Sequence, residues 1–497
     1  MRADAEPSAR LTAAVDPRDD HRQGTGRLAG RVDPTNDACH RQRVGPLTIR
    51  RAATGRRPDV DQGGGVGGRR RGRKIHIRLV AVGVGRARAD SSFVGLRFEP
   101  GFRRWIAAEG VSLFGSGITN VVLPVVVFQT TGSVAQTGLL YALRVVPYLL
   151  LGLVAGPVAD RGDRKALIVG GNVVQGLLVA SIPVASALGV LTVAQIYVVG
   201  LLAASAFVFS DAAVFGAVPA LVGPTNLAAA NGALSSVASA ADIAGPALGG
   251  LLAAALGATN AVWVDAASFF VAALIQWRIR VPFRVGPPAT GENLVAQARR
   301  GLWFVRRHRT VGVLLGVGFG NSLAFGAVLG LLVPFAAERL RLAPSDARVG
   351  LLFSATGAGS LVSGLLFGRV FRVARIHWLS PASLALSAVA VTSLCFATGW
   401  VSAAAVFVAF TLAIATTIAT GITYRQLAAP DDLRSSVNVL GRMIAWGGQP
   451  VGATIGAFVA STYTVRTAYA AAAGAMAITA GLAAALLLGR VDPVNDR

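Results

Sequence analysis

Charge, cysteine, histidine and lysine are all scarce in this 497-residue chain, and each scarcity excludes a class of protein. Only 14% of residues are charged, where a soluble domain carries about 25%. The two cysteines, Cys39 and Cys395, lie far apart in sequence, so neither a disulfide framework nor a Cys-rich metal site can be built. The histidines, His21, His40, His76, His308 and His377, form no His-x-x-x-His pair, so a zinc hydrolase helix is missing. With no clustered nucleophile and base either, an enzyme is not expected. Lys74 and Lys165 are the only lysines. Neither closes a Gly-x-x-x-x-Gly-Lys-Ser/Thr loop, so this chain has no phosphate-binding loop of its own to drive transport with ATP. Neither a cofactor nor a metal is expected.

What is plentiful is apolar. Hydrophobic residues make up 53% of the chain and mean hydropathy is +0.58, with long apolar runs recurring from Ile106 to Leu488. The solvent of such a fold is lipid. The net charge of +23 would suggest nucleic acid in a soluble protein, but its distribution argues otherwise. Residues 1–97 hold 21 Lys+Arg against 10 Asp+Glu, and the remaining 400 hold 26 against 14, so half of the excess sits in a tail and half in loops. The tail is rich in Arg, Gly, Asp and Pro, with a Gly-Arg cluster at 63–73, and is expected to be disordered. Its first apolar stretch, Ile75 to Val84, is too short and too late for a secretory signal. A basic arm on anionic lipid is an alternative reading of it.

A bilayer core needs roughly 20 apolar residues per helix. That window predicts spans at 106–128, 136–158, 166–188, 192–213, 233–256 and 261–279, then a polar, Arg- and Pro-bearing linker at 281–310. Six more follow at 311–337, 347–370, 378–398, 400–422, 436–460 and 465–489. The expected fold is all-α and polytopic: a six-helix bundle over 98–280, a cytoplasmic linker, a second bundle over 311–489 and a short tail at 490–497. Cytoplasmic loops retain Lys and Arg. With both termini inside, twenty such residues fall on the cytoplasmic side and four, Arg339, Arg341, Arg348 and Arg466, on the outer side, which orients the chain in a cytoplasmic membrane.

The halves repeat. Gly152-Leu153-Val154-Ala155-Gly156 ends span 2 as Gly364-Leu365-Leu366-Phe367-Gly368 ends span 8, an offset of 212. At an offset of 207, Asn231, Ala238, Gly245 and Gly249 of span 5 fall on Asn438, Ala445, Gly452 and Gly456 of span 11. Parallel repeats of this kind are a transporter signature. One chain holds both halves, so a monomer suffices.

Two motifs carry function. The loop between spans 2 and 3 reads Gly156-Pro157-Val158-Ala159-Asp160-Arg161-Gly162-Asp163-Arg164-Lys165. There Gly156 is expected to allow close helix approach, Asp160 to accept from a helix N-terminus and Arg164 to pair with a carboxylate, for which Asp211 is the candidate. Span 5 carries Gly245-Pro246-Ala247-Leu248-Gly249-Gly250, a Gly-Pro step expected to bend the helix with glycines for close packing. The loop resembles the signature Gly-x-x-x-Asp-Arg-x-x-Arg-Lys of the major facilitator superfamily, with Arg372 where the second half would have its acid. The span 5 motif resembles the exporter signature of its drug-antiporter branches. Val218 to Val222, Leu227 to Asn231, Asp265 to Phe269, and Arg425 to Leu427 with Pro430 to Arg434 resemble the macrolide-efflux and enterobactin-exporter branch. That resemblance implies a transporter exporting macrolides, other drugs or siderophores on the proton gradient. It begins at about residue 98, implying that the tail is an over-extended start absent from the mature protein. Where many relatives have Gly-Asp in span 1, this chain has Gly115-Ser116.

Ionisable groups at membrane depth need a partner or a task. Asp242 is the first candidate for proton coupling, then Glu109 and Asp265, the last placed near the outer end of its helix; Arg144 and Arg442 are candidate charge partners. Arg144 paired with Asp242 or Glu109 for assembly alone is the alternative. Asn120, Gln129, Asn321 and Gln449 are candidate polar residues of a cavity between the halves, otherwise short of charge and so suited to a large amphipathic substrate. Small-molecule export across the cytoplasmic membrane by alternating access, with the proton gradient and no nucleic-acid partner, is the expected function. An importer of the same fold and a non-transporting sensor are the competing readings.

Overall fold

The computed structural model describes residues 99–283, 294–373, 376–430 and 433–487. The tail at 1–97, linker residues 284–293 and the C-terminal 490–497 lie outside the described residues, as do the side chains of Arg372 and Asn438. The described elements are helices: α1 (Pro100–Thr131), α2 (Val134–Arg161), α3 (Arg164–Ala187), α4 (Val193–Leu256), α5 (Ala258–Trp277), α6 (Leu294–Arg307), α7 (Arg309–Gly330), α8 (Leu332–Glu338), α9 (Ala347–Val373), α10 (Ile376–Leu394), α11 (Trp400–Ala428), α12 (Arg434–Thr462) and α13 (Val465–Leu487).

The starts and stops are written locally. Pro100 opens α1, where its missing N–H costs nothing. Ser133 caps α2 by accepting from the Gln136 amide at 3.3 Å, and Thr192 caps α4 by accepting from Gln195 N at 3.2 Å. The 64-residue α4 is two helices, α4a (Val193–Gly223) and α4b (Thr225–Leu256). The chain turns between them at Gly223, where φ of 70° is a conformation that favours glycine.

Among the described residues, ten helices are long and apolar enough to cross a membrane. The remaining two expected spans correspond to α10, whose apolar stretch is only Trp378–Leu394, and to α12, which is long but interrupted by Arg442 and Gln449. Two differences from expectation have clear causes. The predicted span at 311–337 is broken into α7 and α8, because Pro334 lacks an N–H and its ring opposes the carbonyl of Gly330 four residues earlier. The expected linker contains the short amphipathic helix α6, which seats Val305 in a cluster with Val311, Tyr424 and Leu487 and turns Arg299 and Arg300 outward.

Contacts repeat between the two halves of the chain. α1 packs on α4b and α5, as α7 packs on α12 and α13; α3 packs on α4a and α5, as α10 packs on α11 and α13. Gly245 and Gly249 lie against Gly117 and Ile118 of α1, and their repeat mates Gly452 and Gly456 lie against Leu323 and Ala327 of α7. Across the halves, α2 meets α12 and α4b meets α9.

These cross-contacts are tight at one end only. Far from the Asp160 loop, a Cβ on Gly138 would come within 2.5 Å of Ala457 Cβ, and one on Gly250 within 2.8 Å of Gly350 Cα. Toward the Asp160 loop, Gly152, Gly156, Gly364 and Gly368 would each present a Cβ to open space. The two bundles therefore pack most tightly at the end far from the Asp160 loop, with a cavity between them.

Candidate functional site

That cavity, about 500 Å³, is walled by helices of both halves. It places Glu109 and Asn120 from α1, Arg144 from α2, Asp211 and Asp242 from α4 and Asp265 from α5 on one surface, with Tyr141, Tyr148, Phe207, Phe269, Phe325 and Phe353 as its aromatic wall. Four carboxylates face a single guanidinium there, so the expectation of a cavity short of charge is corrected: helices far apart in sequence contribute the acids.

Each charge has a defined setting. Arg144 Nη2 donates to Asn120 Oδ1 at 2.6 Å, and its electrostatic partner is Asp265; no ion pair joins Arg144 to Asp242 or Glu109 among the described residues, which corrects that expected pairing. Glu109 and Asp211 lie within electrostatic reach of each other, and Asp211 of Arg442. Asp265 is 1% exposed. Its position near the outer end of a helix is corrected too: it lies eight residues into α5, on the cavity and beside Gly115 of α1, where a Cβ would come within 2.6 Å of Asp265 Oδ1. The carboxylate absent from Gly115-Ser116 is thus supplied to the same place from α5. Asp242 is exposed to the cavity from α4b, and its backbone carbonyl lies against Gly357 of α9 in the other half. It stands where the halves meet.

Three polar candidates sit elsewhere. Asn321 is completely buried in α7, with neither side-chain atom partnered among the described residues and none lining the cavity, because its face of the helix is turned into the bundle. Gln449 accepts from Tyr141 Oη at 3.2 Å and bridges α2 to α12. Gln129 is exposed near the end of α1. In their place the cavity receives Asn172 and Gln175 from one face of α3, with Asn172 Nδ2 donating to Gln276 Oε1 at 2.7 Å. Their spacing of three within an apolar span was the available signal.

The loop motif is assembled differently from expectation. Arg164 Nη1 donates to Gly216 O at 2.8 Å and its Nη2 lies 3.3 Å from Asp160 Oδ1; Asp211, five residues before Gly216, faces the cavity instead and is not its partner. A side chain on Gly216 would collide with the Arg164 guanidinium, so that glycine makes the seat. The carboxylate that caps α3 is Asp163, accepting from Lys165 N at 2.8 Å and Ala166 N at 3.2 Å, while Asp160 is half-exposed. Lys165 Nζ donates to Ile279 O at 2.7 Å just beyond α5, and Arg161 points outward. A Cβ on Gly156 would meet nothing in this conformation, so close helix approach does not account for that glycine here. In the span 5 motif, Gly245 and Gly249 pack on α1 and Gly250 packs on α9, with Pro246 beside Gly117. The departure from helical dihedrals in α4 is at Gly223 rather than at the Gly-Pro step.

A second cavity of about 440 Å³ opens beside the first between α2, α4a and α12. Tyr148 and Asp211 line both. Tyr148 meets Trp446 of α12 at a ring separation of 4.7 Å, and Arg442 lies 5.3 Å from the Phe215 ring, so the neck between the chambers is made by both halves. The second chamber also exposes Gly152, Gly156 and Asp160.

Comparison with known proteins agrees with this architecture. Enterobactin exporter EntS of Escherichia coli is 27% identical over 281 residues, 56% of this chain and 66% of the exporter, and that of Escherichia fergusonii matches equally. The match thus spans just under two thirds of those relatives. Among solved structures, the nucleoside transporter NupG superposes with a TM-score of 0.65 at 12% identity, covering 79% of this chain and all of the other. A bacterial homologue of the iron transporter ferroportin in an inward-facing state superposes at 0.63 with 15% identity, covering 78% and 98%. The profile of the Major Facilitator Superfamily matches residues 106–440, and the chain belongs to that superfamily of membrane transporters.

Proposed function

We propose that this transporter exports a small molecule from the cytoplasm by alternating access, in exchange for protons. The observation that carries the reading is the cavity itself: carboxylate-lined, shared by both halves, open toward the Asp160 loop and closed at the far end by contacts between small residues. With both termini cytoplasmic, as the excess of arginines on that side favours, the open end faces the cytoplasm. This reading takes α10 and α12 as spans, making twelve in two bundles over 98–280 and 311–489. α10 and α12 stand in the second half where α3 and α4b stand in the first. The chain works as a monomer in the cytoplasmic membrane.

Export is favoured over import by the likeness to an enterobactin exporter and by the resemblance of Gly245 to Gly250 to an exporter signature. The substrates that follow are drugs, macrolides or siderophore-like compounds. A proton antiporter needs a carboxylate that meets substrate and proton in turn. Asp242 fits that role by its position on the cavity at the α4b–α9 contact, with Glu109 and Asp265 behind it. The Asp160–Arg164–Gly216 cluster holds the end of α2 against α3 and α4a, so that the inner end of the first bundle moves as a unit.

The test is accumulation in a bacterium stripped of its main drug pumps, expressing the chain or its Asp160→Asn form, with a panel of macrolides, tetracycline, dyes and siderophores. Lower accumulation of a compound, abolished by a protonophore and by Asp160→Asn, is the expected result. Raised accumulation would make the protein an importer. Transport indifferent to Asp242→Asn would remove that residue from coupling.

A further inference from the structure

We propose that the cavity selects an amphipathic organic cation, a protonated amine or onium compound, over neutral and anionic molecules. The inference takes its location from the transport reading above and adds the substrate's charge.

Four carboxylates against one guanidinium leave an excess of three acidic groups on the wall of a cavity of about 500 Å³. Charge at membrane depth is costly unless it is compensated. Arg144 is already engaged by Asn120 at 2.6 Å and answers electrostatically to Asp265. Asp211 and Glu109 face each other with like charge, and Asp242 has no ion-pair partner among the described residues. Arg442 answers Asp211 in part; what compensates the remaining acids comes from outside the chain, as protons or as a cationic substrate. An anionic substrate would add to the excess, and a neutral one would leave it uncompensated.

A second observation points to a ligand. Thr119 is 4% exposed on the cavity wall, and its Oγ1 is turned toward the Asp265 carboxylate without reaching hydrogen-bond geometry to any group. Beside it, the Asp265 carboxylate accepts from Ser268 Oγ at a long 3.4 Å, with Arg144 as its charge partner. This is a buried acceptor pair with unused capacity, of the kind an ammonium N–H satisfies. The aromatic wall suits the same ligand: Phe269 lines the cavity together with Asp265, and Phe207 and Tyr148 line it together with Asp211, and ring faces attract onium groups. The volume is that of a drug-sized site, for which about 300–1,000 Å³ is usual.

The mechanism gains economy from this. Carboxylates that lose a cation to one side of the membrane take up protons from that side and release them on the other, so one set of groups serves substrate and proton in turn. Asp211, on the walls of both chambers, is the first of these acids that a cation meets on its way inward.

The test is equilibrium binding to the purified full-length protein in nanodiscs, with radiolabelled tetraphenylphosphonium, tetraphenylborate as its anionic counterpart and triphenylphosphine oxide as a neutral probe. The phosphonium is expected to bind about tenfold or more tighter than either, the ratio that about 1.4 kcal/mol of charge pairing sets. Asp211→Asn and Asp265→Asn are each expected to weaken phosphonium binding severalfold, and Asp346→Asn, on an outer loop, to leave it unchanged. Equal or tighter binding of the anion or the neutral probe overturns the proposal, as does no phosphonium binding at all. So does unchanged affinity in both cavity variants. The wild-type comparison stands even if a variant fails to fold. The direction of transport is read separately: phosphonium that binds but accumulates in cells would refute export and leave the cation selectivity in place.

Discussion

Asp163 and Asp346 show how single carboxylates hold helix starts in this chain. Asp163 Oδ1 accepts two amides of α3, and replacing such a cap by alanine costs about 1 kcal/mol. Asp163→Ala is therefore expected to speed hydrogen exchange of the first turn of α3 while leaving α9 untouched. Asp346, just before α9, accepts from Arg348 N and Nε at 2.9 Å each, and its Oδ2 takes Nη2 at 2.6 Å. The Arg348 guanidinium holds its carboxyl below the usual carboxylate range. A group whose value is depressed by folding contributes stability that is present above the unfolded value, about 3.9, and is lost as pH falls through the lower folded value. Protection of the amides at the start of α9, corrected for intrinsic exchange at each pH, is expected to fall on acidification below about pH 4, and Asp346→Asn to abolish that dependence; protection independent of pH in the native protein would refute the assignment. Both residues stand in sequences that announce a helix start. The partner of Arg164 was not legible in the same way. A backbone carbonyl at Gly216 leaves no trace in side-chain chemistry, whereas Asp211 looked like a partner only because it was acidic and near.

Glycine at helix contacts is the governing feature of the elements. Gly250 of α4b and Gly350 of α9 meet so closely that a Cβ on the first would lie 2.7 Å from Ala347 O. Gly250→Leu is expected to part α4b from α9 at the closed end by forcing side-chain volume between two backbones, which overpacked contacts resist at a cost of about 1–3 kcal/mol. Spin labels on the ends of the two helices at this contact would report a longer distance, and an unchanged distance with unchanged melting would contradict the contact. Most helices were legible as apolar runs with caps, and the repeat of Gly245 and Gly249 in Gly452 and Gly456 marks equivalent contact faces by spacing alone. The break after α7 was legible in Pro334 but outweighed by the unbroken apolar run around it. α6 was hidden because its window is short and interrupted by four arginines, and only the 3.6-residue spacing of its apolar side marks it. The cavity was the least legible feature. Its acids come from α1, α4 and α5, and nothing in linear sequence states that Asp265 lies beside Gly115 or that Asp211 turns inward.

At the scale of the molecule the two ends are unequal in a way the repeats make informative. Gly138 and Gly250, toward the closed end, are in tight contact with the opposite half, whereas a Cβ on Gly152 or Gly156 of α2, or on Gly364 or Gly368 of α9, would meet open space. If the halves rock, the second set becomes the contact surface as the first parts, and that accounts for glycines whose missing side chains make room for nothing in the conformation described. Gly156→Val is therefore expected to leave folding and melting nearly unchanged, since its side chain enters open space, but to block the state in which the inner end closes. Such a variant should bind substrate from the open side with native affinity and transport it poorly, a loss of turnover without a loss of binding. Gly364→Val on the equivalent helix should do the same, because α9 meets α4b as α2 meets α12. A cysteine placed at the inner end of α2 should stay reactive toward a water-soluble thiol reagent in both variants, while in the native protein its labelling should slow when the closed-inside state is populated. Native turnover in both valine variants would show that these faces never meet and that the inner end closes through other residues, among them Tyr148 with Trp446 and Phe215 with Arg442 at the neck.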